Sequence, residues 1–561
     1  MHTKSLLALL MLSTTACAQP QEAIDAAFDS SAPALLDQAK PEELKQISEE
    51  TAEQEQATGV ALPGEPASPE GEALPPPEED FFGDRDSVSL NGQTIKLRSP
   101  KALHAFYNTA KAYNHWNAER AARLAEVVAN ARNDGLPPAK YHPEVIAAFQ
   151  DDEAHQILLS DAFLSLAGDL ANGLVNPRIT QPEWNGAKVS DEELAELLAS
   201  ALEKNDFATP LEALNRDNPR YQALRRAYNA QINGEETPPE EQLTSAGMLQ
   251  LNSDHPDVLI LRKKLGLAGD STLYDESVRD AVLEYQKKHR KELGKPDGRV
   301  GKKTRDKLNG KLAKKPAKIS LDLLQINMER QRWMPQELGN TNIIVNIPSY
   351  TAKMFRDGAE IYSTRTVIGR RDRQTPAFVD RLRHVVMSPM WTVPPTILKD
   401  KIEKGQVTSA YDLVTNRGKY VSPANGSVPA GHTLRMKSSP SNPLGKVKFL
   451  FPNSHAIYLH DTPRSGAFFG QARSSGCIRL QDPENLAYLL LAGVKSKEQI
   501  KNDMSYRPKE VWSNPLEPVP IYLVYWTVSS DLNGKIATAS DVYSKDAKLI
   551  AQYKKALEIK D

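Results

Sequence analysis

Cysteine is almost absent from this chain of 561 residues: only Cys17 and Cys477 occur. A disulfide framework is therefore excluded as the basis of folding, and a single bridge would require a leader segment to dock on a folded core. Excess charge is also lacking. The 70 Lys and Arg nearly balance the 72 Asp and Glu, leaving a net charge of −2, which provides no strong field for nucleic acid or anionic lipid. Metal-binding spacings such as C-x-x-C and H-E-x-x-H do not occur, which weakens a zinc site built from His455, His460 and Asp461. No transmembrane span is indicated: residues 6–12 are an apolar run too short to cross a bilayer, and no later segment approaches that length.

Residues 1–18 have the form of a secretory signal, with Lys4 before the apolar run and small residues at Ala16-Cys17-Ala18. Cleavage after Ala18 would remove Cys17 and leave Cys477 unpaired in an oxidising compartment, where thiols usually pair or perform chemistry. The alternative is cleavage before Cys17, because Thr14-Thr15-Ala16-Cys17 resembles a lipoprotein processing site that would make Cys17 a lipid anchor.

Residues 19–97 are expected to be a disordered linker, rich in Pro, Glu and Ala and culminating in Leu74-Pro75-Pro76-Pro77. Over 98–240 the apolar period becomes helical, as in Leu124, Val127 and Val128 or Leu166 and Leu170. A small module of three short helices is predicted over 253–311, with Val258, Leu261 and Leu265 on one face and Val278, Val282 and Tyr285 on another. From 319 to 530 strand signals dominate, including a hairpin turning at 348–351 and a helix from Pro483 to Leu491. Residues 395–435 break that rhythm with a helical start at 397–404 and a Gly-, Pro- and Ser-rich loop, which suggests an inserted lid. Residues 531–561 are left as a C-terminal extension.

The chemistry concentrates at Ser474-Ser475-Gly476-Cys477-Ile478-Arg479-Leu480, seventeen residues after His460. Attack on an amide carbonyl needs a thiolate, a base and donors for the oxyanion. Cys477 suits the nucleophile and His460 the base. The backbone N–H groups around Ser475, Gly476 and Cys477 suit the oxyanion, and a nearby helix start would lower the thiol pKa. Asp461 and a backbone carbonyl are equal candidates for orienting His460. In extended geometry Arg479 shares a face with Cys477, either to bind a substrate carboxylate or to anchor the loop. Ser474 would hold the turn or contact substrate, while Tyr458 and Trp391 are further substrate-binding candidates.

These residues resemble the active-site signature of the YkuD-type L,D-transpeptidase catalytic domain. Together with the helical scaffold, the lid and the run from Asn442 to Asn453, they look like the large YcbB-type members. The small module resembles a peptidoglycan-binding domain through Tyr274-Asp275, Tyr285-Gln286 and Asp297-Gly298. The resemblance implies a multidomain α+β protein: a mostly β catalytic domain with a lid insertion, a helical scaffold and a three-helix peptidoglycan-binding module. It implies a periplasmic or cell-envelope enzyme, an outer-membrane lipoprotein if Cys17 is acylated, that needs no metal or organic cofactor. Its partners would be peptidoglycan stem peptides and glycan. Cys477 would attack the third residue of a tetrapeptide stem, expel D-alanine and pass the acyl group to a neighbouring amine as a 3→3 crosslink. Stem-peptide hydrolysis and a non-catalytic wall-binding role are the alternatives. Many members carry a histidine just before Gly-Cys; here Ser475 stands there, leaving His460 as the base of the motif.

Overall fold

The computed structural model describes residues 80–558 apart from 217, 235–241, 246, 268, 310–318 and 464–467; between 395 and 431 it describes only 398, 402, 404, 407, 408, 410–414, 420, 421 and 428. The signal segment, Cys17 and most of the expected linker lie outside these residues. Among the described residues, no helix is long and apolar enough to cross a membrane.

Two compact units are present. The smaller, within 229–321, has helices Asp257–Leu265, Glu276–Lys288 and Lys302–Leu308 around Val258, Leu261, Tyr274, Val278, Val282 and Val300. Its sequence signposts act as fasteners. Asp275 caps the middle helix by accepting from the Val278 N–H, while Gln286 Oε1 accepts from the backbone of Asp297 and Gly298. Leu243 and Leu249 belong to the same core, so the unit begins about ten residues before the expected boundary at 253.

In the larger unit, the 20-residue helix Glu153–Asn172 is buried on nearly every side, as expected of a helix with little amphipathicity at the centre of a bundle. Pro100–Ala110, Ala118–Asn130 and Asp191–Lys204 pack around it. The linker boundary at 97 is corrected here. Ser87–Leu90 and Gln93–Lys96 form a hairpin through Asn91-Gly92, both at positive φ, and Phe82 stacks on Tyr107 at 5.4 Å.

The β-rich domain is an eleven-stranded sheet. Its order runs Val511–Ser513, His384–Met387, Val447–Leu450, Leu459–His460, Ile478–Leu480, Ala359–Gly369, Thr351–Arg356, Thr341–Asn346, Val519–Val524 and Phe378–Leu382, with Gln471–Ser474 also pairing along Ala359–Gly369. Three expectations change. First, strand pattern does not begin at 319: Leu321–Arg332 is a helix whose last seven residues are all buried. Arg332 and Glu329 face the scaffold, where they pair at 3.1 Å, Arg332 donates to Tyr221 and Glu329 accepts from the Val175 N–H at 2.7 Å, whereas Asn327 and Arg330 donate to Thr527 and Arg330 pairs with Asp546 at 2.7 Å. Second, the segment expected as an insertion at 395–435 is not loop alone: Tyr411–Val414, Tyr420–Val421 and Thr433–Met436 form a four-stranded antiparallel sheet with Trp391–Thr392, which precedes it; the expected helical start lies mostly outside the described residues. Third, the C-terminal extension is part of the core. Ile536–Thr538 pairs with Val528–Ser530, and helix Asp546–Leu557 buries Leu549 and Tyr553.

Candidate active site

Core packing determines which face the site occupies. Leu459–His460 pairs in parallel with Ile478–Leu480, with Leu459 opposite Ile478 and His460 opposite Arg479. Leu459 and Ile478 are fully buried in the hydrophobic core. Strand alternation therefore places Tyr458, His460, Cys477 and Arg479 together on the other face. A one-residue slip would drive both reactive groups into the core.

His460 is 4% exposed. Its Nδ1 lies 2.5 Å from the Asp461 carbonyl oxygen, and because a carbonyl only accepts, this bond assigns the proton to Nδ1 and leaves Nε2 as the base. The backbone carbonyl, not the Asp461 carboxylate, is thus the orienting group. That carboxylate instead accepts from the N–H groups of Lys446 at 2.7 Å and Thr462 at 2.6 Å. Gly445 lets the turn approach so closely: its φ is +60°, and a Cβ there would sit 2.2 Å from Asp461 Oδ2.

Burial first, and the Arg479 guanidinium second, push the His460 imidazole down to about 3, against its bond to the Asp461 carbonyl. Cys477 is half-exposed as a residue, yet burial around the sulfur pushes its thiol up. Hydrogen bonds from Tyr458 and from Cys477's own backbone, together with the charge of Arg479, pull it the other way. The resting pair at neutral pH is therefore thiol and neutral imidazole, an arrangement chemically suited to general-base transfer of the thiol proton rather than to a preformed thiolate. The thiol donates to the Ala456 carbonyl at 3.5 Å. The residues that follow the sulfur are not a helix start: the chain continues extended through Leu480, and the next helix along it begins at Pro483.

Gly476 has φ +120°, and a Cβ there would meet Ile457 Cδ1 at 2.8 Å. Its N–H donates to Ser474 Oγ at 3.1 Å. Ser474 is thus a buried turn residue, and Gly476 serves through its backbone path, with its N–H turned to Ser474 rather than toward an oxyanion. Ser475 is exposed. Tyr458 lies 5.7 Å from His460, ring to ring. Trp391 belongs to the sheet of the inserted segment and packs against Val393, Leu413, Leu434 and Met436. His455 lies in a loop, 3.0 Å from Glu183 of the helical region, and is not on the strand with His460. Among the described residues no cluster of three His, Cys, Asp or Glu is placed to hold a metal ion.

Sequence reasoning missed Asn453. Its side chain donates to Phe451 and Ile457 and accepts from the backbone of His455 and Ile457, so it shapes the loop that presents Ala456. Pro452-Asn453-Ser454 is a turn signal that is available without coordinates.

Residues 340–499 match the family model described as the L,D-transpeptidase catalytic domain, YkuD. This region is a YkuD-type L,D-transpeptidase catalytic domain. Residues 101–227 match the model described as the Scaffold domain, so the helical region preceding the YkuD domain is a domain in its own right. A curated Haemophilus influenzae protein named "Putative L,D-transpeptidase" is 32% identical over 239 residues, covering 40% of this chain and 48% of that protein. The chain thus spans about half the length of the curated relative it matches. Solved structures of an L,D-transpeptidase from Mycobacterium smegmatis and of an LD transpeptidase in complex with imipenem each overlap 33% of this chain and 58% and 59% of theirs. Their identities are 16% and 14% and their TM-scores 0.17 and 0.18, too low to carry an argument.

Proposed function

We propose that this protein is a peptidoglycan L,D-transpeptidase that forms 3→3 crosslinks through a thioester on Cys477. The reading is carried by one observation: within a YkuD-type domain, the chain's second cysteine shares a sheet face with a buried, neutral imidazole on the adjoining parallel strand.

In the proposed reaction, Cys477 Sγ bonds to the carbonyl carbon of the third stem residue while His460 Nε2 takes the thiol proton. That proton passes to the departing amine of D-alanine as the C–N bond breaks. An amine of a neighbouring stem then attacks the thioester, a new C–N bond forms as the C–S bond to Cys477 breaks, and the amine proton returns through His460 to sulfur. Backbone N–H groups at Ser475 and Cys477 are the oxyanion donors of this scheme, and Arg479, beside His460, discourages protonation of the base before substrate arrives. The 229–321 unit would add affinity for glycan. The leader would place the enzyme in the periplasm or cell envelope, anchored by lipid if processing occurs before Cys17.

Analysis of muropeptide products tests the reading. Wild-type protein with tetrapeptide stems and acceptor should yield 3→3 dimers, and Cys477→Ala should reduce them by at least about 10³-fold, as expected on losing a nucleophile. Tripeptide without dimers would identify a hydrolase instead. A carbapenem should add its mass to wild type but not to Cys477→Ala, read by intact-mass spectrometry; an unshifted wild type would count against an acylable sulfur.

A further inference from the structure

A buried relay links the cysteine turn to the chain's last fifty residues. Gly476 accepts a hydrogen bond from Thr375 Oγ1 at 2.6 Å. The carbonyl of Gly476 and the N–H of Cys477 share one planar trans peptide, so whatever holds that carbonyl also aims that N–H in the opposite direction. Thr375 is itself held on two sides. Its hydroxyl accepts from the Gly369 N–H at 2.9 Å, and its backbone N–H donates to the Tyr543 hydroxyl at 3.1 Å. Tyr543 in turn donates to the Gly369 carbonyl at 2.6 Å, closing a ring of hydrogen bonds. Thr375 is fully buried and Tyr543 is 6% exposed.

The ring is tight. A Cβ at Gly369 would lie 2.2 Å from the Arg373 carbonyl. Tyr543 is located by its own N–H, which donates to the Tyr525 hydroxyl at 2.7 Å, and Tyr525 donates to Asp541 at 2.5 Å. Lys545, two residues on, reaches Gln181 of the Scaffold domain at 2.8 Å. The cysteine turn is therefore connected by hydrogen bonds and a short stretch of chain to a segment that begins beyond the YkuD match.

We propose that Thr375 and Tyr543 are positioning residues of the Cys477 site, which act by fixing the peptide between Gly476 and Cys477 so that the Cys477 N–H faces the reacting carbonyl. Thr375 acts directly through its hydroxyl. Tyr543 acts through Thr375, which makes the C-terminal segment part of the catalytic apparatus. This deepens the transpeptidase reading and rests on it for the identity of the acyl group, but the relay exists whatever the substrate.

The test uses full-length Thr375→Val, Thr375→Ser and Tyr543→Phe. In muropeptide kinetics, Thr375→Val should lower kcat by about tenfold or more, within the range for a misdirected oxyanion donor, with KM within about twofold of wild type. Thr375→Ser should restore most of the rate, and Tyr543→Phe should fall between the two. Independently of turnover, the pH profile of Cys477 alkylation by iodoacetamide should move to higher pH in Thr375→Val and return in Thr375→Ser. Profile shifts without crosslinking activity in wild type would uphold the relay and defeat the transpeptidase reading. An active wild type, with Thr375→Val and Tyr543→Phe matching it in kcat and alkylation profile, would overturn the relay. If Thr375→Val does not fold, Tyr543→Phe decides by the same two measurements.

Discussion

Two buried polar clusters in the same unit meet the cost of desolvation in opposite ways. At the seam between the Scaffold domain and helix Leu321–Arg332, Arg332 and Glu329 are fully buried: Arg332 keeps its charge against burial because Tyr221, Tyr553, Glu329 and Asp134 surround it, while burial pushes the Glu329 carboxyl up against the pull of Arg332 and the Val175 N–H. At the candidate active site, His460 is nearly as buried, but its neighbours are a carbonyl and another cation, so burial removes its charge. Equal burial thus leaves a charged guanidinium where its partners are complementary and a neutral imidazole where they are not. The first arrangement holds domains together; the second leaves a lone pair available for proton transfer.

The sharpest way to break this comparison is Arg332→Met, which strands Glu329 without its cation and the Asp134 carbonyl without its guanidinium donor. We expect a loss of about 3–5 kcal/mol, read from urea unfolding, and partial recovery in the double variant with Glu329→Gln. A stability equal to wild type would show that the seam does not depend on charge pairing. Next in size is the pH dependence of acylation. His460 acts when neutral, so a depressed pKa extends the active form to lower pH: the rate should stay within about twofold from about pH 5 to 7 and decline only towards about 3. An inflection near pH 6.5 would mean that the imidazole is not desolvated as the comparison requires. Stability follows the same sign: as pH falls below the ordinary histidine value, the unfolded chain binds a proton that the folded site refuses, so the contribution of His460 is lost progressively down to about pH 3. The smallest effect is expected for Gly445→Ala, which would crowd Asp461 at a left-handed φ. A loss of about 1–3 kcal/mol and a few-fold slower turnover are expected, measured by thermal melting and steady-state rates. If both are unchanged, the turn does not hold the histidine.

Much of the site was legible because its information is local. A cysteine after Gly476, an Arg two residues on and a histidine at a strand end are visible as neighbours in the chain, and alternation alone places Cys477 and Arg479 on one face. The orienting group of His460 was not legible, because a following aspartate is compatible with two bonds and only the turn at Gly445 turns the carboxylate elsewhere. The hairpin at Ser87–Leu90 and Gln93–Lys96 carried a usable signal in Asn91-Gly92, but the acidic, proline-rich segment before it dominated the composition. Helix Leu321–Arg332 failed for a different reason: Asn327 and the run Glu329-Arg330-Gln331-Arg332 have the pattern of a solvated surface, and only distant segments with matching groups make them core.

By itself the sequence determined the helical bundle, the β-rich domain and the choice of Cys477 as the candidate nucleophile, because hydrophobic period and motif order are properties of neighbouring residues. Tertiary structure alone decided that the imidazole is neutral, that a carbonyl holds it, and that Tyr543 reaches the turn of Cys477 across more than sixty residues. Those outcomes depend on desolvation and on long-range hydrogen bonds, and neither exists until distant segments have packed against one another.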